Sequence, residues 1–81
     1  MSQDRISSAD HRALHEEHLA LAKRHVAESE PRVARQAALV VRLRADRHDT
    51  ALAESVLAEF ERTLADMRAH LRSLQAEHDA R

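Results

Sequence analysis

With 81 residues, no cysteine and no glycine, the chain excludes disulfides, thiolate metal centres, cysteine nucleophiles and glycine-rich phosphate loops. Its one aromatic residue, Phe60, offers no platform for stacking bases, and a net charge of -1 leaves no basic excess for nucleic acid. The opening MSQDRISSAD is polar, and no run approaches the roughly 20 apolar residues of a membrane span, so the expected compartment is the cytoplasm. Alanine, leucine, glutamate and arginine dominate, which indicates an all-α chain forming one domain over residues 1–81.

The first helix is expected over about residues 8–45, with Ser7 or Ser8 as its N-cap. Leu19, Ala22, Val26, Ser29, Val33, Gln36, Val40 and Leu43 recur at alternating steps of three and four, the seam of a coiled coil. Ser29 and Gln36 make the middle of this seam polar, and Ala37 is the apolar neighbour that would replace Gln36 at the contact. Pro31 donates no backbone hydrogen bond, and its ring presses on the preceding turn, so a kink is expected near Glu28 to Glu30. The apolar phase continues from Val26 to Val33, which favours one kinked helix over two separate ones.

RADRHDT, residues 44–50, is polar and short, with the turn itself at about 46–49. A connection of this length folds two helices back on each other as an antiparallel hairpin. The second helix is expected over about 50–78, opened by a side-chain oxygen of Asp49 or Thr50. Its seam is unbroken: Ala53, Leu57, Phe60, Leu64, Met67, Leu71, Leu74 and His78, widened by Val56. Charge agrees with the folding back. Arg32, Arg35, Arg42, Arg44 and Arg47 would lie beside Glu54, Glu59, Glu61 and Asp66, which selects the antiparallel arrangement and neutralises the basic run.

Two rods in contact bury one stripe each. Leu14, Leu21, Leu39, Val41, Leu52 and Val56 would stay partly wet, so a second pair of helices is needed. The simplest source is a homodimer closing a four-helix bundle about a two-fold axis. The expected function is accordingly non-enzymatic: a helical association or scaffold module that self-associates and docks on a larger protein, without nucleic acid, membrane or catalytic residues. Its association seam comprises Val26, Val33, Val40, Leu43, Leu57, Phe60, Leu64, Met67, Leu71 and Leu74.

The segment from His25 to His70, with VARQ at 33–36 and HDTALAE at 48–54, resembles a group of small alphaproteobacterial helical proteins that have no established activity. The resemblance implies a free-standing helical hairpin. In that group a glycine commonly stands where Arg47 stands here, as suits a left-handed residue ending a helix. Pro31 is a departure from the pattern.

HRALHEEHLALAKRH, residues 11–25, holds four of the seven histidines, and His11, His18 and His25 recur every seven residues. Folding the hairpin with Leu43 level with Ala53 brings His70 and His78 to the same open end, leaving only His48 at the turn. Imidazoles one turn apart, joined by another from a facing helix, can bind zinc, nickel, cobalt or copper. The candidate ligands are His15, His18 and His78, with Glu77 as an oxygen donor and His25 with His70 as a second pair. No other cofactor is expected. Repulsion between imidazoles protonated near about pH 6 is a further use of such a cluster. The plainest reading is a solvated helix face. RAHLRSL, residues 68–74, is faintly similar to the phosphoacceptor segment of histidine-kinase dimerisation helices, but it lacks the acidic residue and proline that follow the acceptor.

Overall fold

The computed structural model describes residues 8–80. The candidate cap Ser7, and the side chain of Ser8, lie outside that description. Two helices account for almost all of it: α1, Ser8–Ala45, and α2, Ala51–Asp79, packed against each other as a hairpin. There is no strand among the described residues, and no helix is long and apolar enough to cross a membrane. The second helix begins and ends one residue later than the sequence pattern indicated.

α1 runs through Pro31 without a break. The proline removes the bond that would reach the carbonyl of Ala27, four residues earlier. Both residues are exposed, on the side turned away from α2, where water can take the place of the missing donor. The apolar contact on the opposite side therefore passes Pro31 undisturbed.

The contact itself is a single stripe. Leu19, Ala22, Ser29 and Val40 of α1 are buried against Ala53 and Leu64 of α2, with Val26, Val33, Leu43, Leu57, Phe60, Met67, Leu71 and Leu74 half-buried among them. No described side chain is wholly enclosed. This follows from geometry: two cylinders touch along one line, and each seam residue keeps one flank in water.

The polar members of the stripe form cross-helix bonds instead of leaving the seam open. Gln36 remains at the contact, its Nε2 donating to the carbonyl of Ala53 at 2.9 Å, while Ala37 is half-buried beside it. The expected replacement of Gln36 by Ala37 does not occur, because the amide finds an acceptor on α2. Ser29 is buried, and its hydroxyl donates to Met67 Sδ at 3.2 Å. A weak sulfur acceptor thus spares the hydroxyl an unpaired burial.

At the end of α1 the His48 amide donates to the carbonyl of Leu43 (2.9 Å) and the Arg47 amide to that of Arg44 (3.1 Å). These are the two bonds of a Schellman motif, and its C′ residue, Arg47, has a φ of 61°. The Cβ of an L-residue crowds the carbonyl in this left-handed region, at a cost of about 1–2 kcal/mol. Of the two candidate caps for α2, Asp49 provides the oxygen: its Oδ1 accepts from the Ala51 amide at 2.9 Å. Thr50 occupies the cap position but makes no side-chain cap bond; its hydroxyl donates to the Glu54 carboxylate.

Candidate functional site

A hairpin has two ends and two broad faces, and here they differ in chemistry. At the open end, His15 is half-buried between α1 and the last turns of α2. With the proton on Nε2, it donates to the carbonyl of Leu74 at 3.1 Å. Its Nδ1 is 3.7 Å from Glu77 Oε2, an ion pair once the imidazole is protonated. The ring of His78 stacks on it, with centroids 5.9 Å apart and planes within 9°.

This places three of the candidate residues together and leaves one out. His18 lies elsewhere, lining a small groove of about 130 Å³ with Leu21, Ala22, His25 and His70. The candidate trio of His15, His18 and His78 is therefore split. Among the described residues, no group of three or more histidine, aspartate and glutamate side chains is arranged to hold a metal ion. The physical reason lies at His15: Nε2 is committed to a backbone carbonyl, and parallel stacking does not direct the lone pairs of two rings to one point. His25 and His70, the second candidate pair, do share one groove with His18. His48 is exposed at the turn, remote from the others.

His78 also departs from the expected seam, being exposed while Leu74 and Gln75 are half-buried. An α-helix turns slightly more slowly than a strict heptad, by about 20° per repeat. Over four repeats that drift carries His78 off the contact line and brings Gln75 toward it.

The two broad faces follow from the same wheel. On one, Arg44 meets Glu54 (3.4 Å) and Glu30 meets Arg68 (2.9 Å), across a groove that Glu61 also lines. We call this the ion-paired face. On the other, His18 and His25 lie across from His70, and Leu39 lies across from Val56. An open groove of about 380 Å³ runs between Leu39, Leu43, Asp49, Leu52, Ala53 and Val56 at its turn end. This is the histidine face.

The charge blocks pair less than their sequence suggested. Of the arginines from Arg32 to Arg47 and the acids from Glu54 to Asp66, only Arg44 and Glu54 form an ion pair among the described residues. Arg35 and Arg42 project from the outer flank of α1, and Glu59 and Asp66 from that of α2, too far round each helix to meet within one hairpin. Residue order alone indicated complementary arms; it did not indicate that two pairs of their charges point outward. No family model, no curated protein and no solved structure matches the chain.

Proposed function

We propose that this chain is a helical association module that pairs with a second copy of itself to close a four-helix bundle, and that the bundle presents its surface to a larger protein. The supporting observation is the mismatch between what the hairpin buries and what it leaves out. No described side chain is wholly enclosed, yet Leu14, Leu21, Val41 and Leu52 are exposed by 48, 43, 64 and 79%. A two-helix unit of this size has little interior of its own, and a second pair of helices supplies the missing cover. Room for it exists: the hairpin extends 68 × 24 Å across its broad faces, more than the roughly 800 Å² per partner of an ordinary interface requires.

Sedimentation equilibrium on the tag-free chain tests this reading. A dimer at micromolar concentration is the expected result. A folded, helical monomer at tens of micromolar would overturn it.

A second reading is transition-metal binding at the open end. It is favoured by the gathering of His18, His25 and His70 around one groove and of His15, Glu77 and His78 around one contact. Native mass spectrometry with one equivalent of zinc, then with chelator, distinguishes the two, since association should survive the chelator.

A further inference from the structure

We infer that the second copy docks on the histidine face, with the two-fold axis parallel to the helices, so that each α1 packs on the partner's α2 and the two turns lie side by side. The inference rests on the self-association proposed above and adds to it a face and a polarity.

The face is chosen by what each side would lose. On the helical wheel, Leu14, Leu21 and Leu52, three of the four exposed large apolar residues among those described, lie on the flank of the histidine face, beside Leu39 and Val56. Only Val41 flanks the other side. The ion-paired face already carries Arg44–Glu54 and Glu30–Arg68, half-exposed pairs that a partner would have to desolvate. Covering the histidine face removes apolar area from water and leaves Arg44–Glu54 and Glu30–Arg68 untouched.

The polarity follows from the charges left over. Arg35, Arg42, Glu59 and Asp66 make no ion pair with any described residue. All four stand on the outer flanks of the histidine face, the arginines on α1 and the acids on α2. The Ser29–Met67 contact fixes the relative heights. Asp66 stands level with about residue 30, and Glu59, two turns nearer the connection, within about a turn of Arg35.

An axis parallel to the helices keeps those heights and sets α1 against α2. Arg35 then meets Glu59 of the partner subunit, and the basic flank as a whole runs along the partner's acidic one. An axis perpendicular to the helices sets like helices together. It would put Arg35 and Arg42 against Leu21 and Leu14 of the partner subunit, and Asp66 beside its own symmetry mate. Like charges and buried arginines both oppose that arrangement. A consequence of the parallel axis is that both open ends coincide, so His18, His25 and His70 of the two chains share one end of the bundle.

The sequence has no cysteine, so a single spin label can be placed at the exposed turn through His48→Cys. Pulsed dipolar spectroscopy should then read about 20–35 Å between labels, since neighbouring helix axes in a bundle lie only about 8–10 Å apart. A separation near the length of α1, about 55 Å at 1.5 Å per residue, would overturn the polarity while leaving self-association standing. No dipolar signal in protein that sediments as a monomer would instead count against self-association itself. For the face, Leu52→Asp should weaken the dimer at least tenfold and Val41→Asp should leave its dissociation constant within twofold. Both side chains are largely exposed in the hairpin, so neither change removes internal packing. The reverse ranking, or no effect of either, would overturn the choice of face.

Discussion

The side-chain amide of Gln36 donates to the backbone carbonyl of Ala53, 2.9 Å away across the hairpin, and so ties the middle of α1 to the first turn of α2. That carbonyl already lies inside a helix, so losing the glutamine leaves no buried acceptor orphaned. Gln36→Ala should therefore cost only about 1 kcal/mol, the usual net worth of such a bond. Gln36→Leu should recover most of that by adding apolar area to a half-buried site, at about 25 cal/mol per Å² buried. Urea unfolding followed by circular dichroism reads both. A loss above roughly 3 kcal/mol in the alanine variant would mean that the amide does more than bridge two helices.

Leu64 is the most deeply buried residue of α2, at 5% exposure. Truncation to alanine should cost about 2–3 kcal/mol, at the low end for buried leucine because a single stripe can partly collapse around the gap. Leu64→Asp should be far worse, since a carboxylate in the seam is desolvated and the cation lining the same groove, Arg68, is already paired with Glu30. The expected outcome is loss of most helical signal at about 25 °C, together with loss of the proposed self-association. A variant that keeps both its size and its melting midpoint would show that α2 packs through another face.

These residues also mark where the sequence was legible. The steps of three and four placed Leu64, Val40 and Leu19 in the contact because a helix repeats every 3.6 residues whatever its surroundings. The same periodicity carried α1 past Pro31, whose missing bond falls on the wet side. It failed at His78, where slow drift of the heptad over four repeats matters, and at Gln36, where a specific acceptor outweighs polarity. The histidine grouping was legible as an end of the hairpin but not as a site. Height along a helix follows from counting residues, whereas convergence of ring nitrogens depends on rotamers and on competing acceptors such as the Leu74 carbonyl.

Arg47 ends α1 at a φ of 61°, in a motif completed by the Leu43 and Arg44 carbonyls. Glycine takes that conformation without Cβ strain, although it gives up more backbone entropy on folding. The two effects oppose each other, and the strain is the larger. Arg47→Gly should stabilise the hairpin by roughly 0.5–1 kcal/mol, and Arg47→Val should destabilise it, as β-branching makes left-handed backbone worse. Thermal unfolding of the two variants beside the parent chain checks the order. A glycine variant that melts below the parent would mean that Arg47 contributes something other than a turn.

Asp49 and Thr50 look interchangeable as caps in the sequence, but only Asp49 bonds to a free amide of α2. Asp49→Ala should cost about 0.5–1 kcal/mol, in line with other capping residues. Thr50→Ala should cost less, because the hydroxyl reaches the exposed Glu54 carboxylate and not the backbone. Equal losses would indicate that the two side chains exchange roles in solution. Urea titrations of the single variants are sufficient, the difference between them being more informative than either value.

The histidines separate in the same way. His15 is half-buried and donates to the Leu74 carbonyl, so His15→Ala should remove about 1 kcal/mol of stability. His78 is exposed and contributes a stacked ring, so His78→Ala should change stability by less than about 0.5 kcal/mol. For metal the ranking reverses toward the other groove. Neither His15 nitrogen is unengaged, one facing Leu74 and the other Glu77, whereas His18, His25 and His70 line an open groove with no hydrogen bond to any described residue. Any zinc adduct in native mass spectra should accordingly disappear in the His25→Ala, His70→Ala double variant and persist in His15→Ala, His78→Ala. Loss of the adduct in the second variant alone would move the metal to the His15–Glu77–His78 contact, and the Leu74 bond would then have to open to admit it.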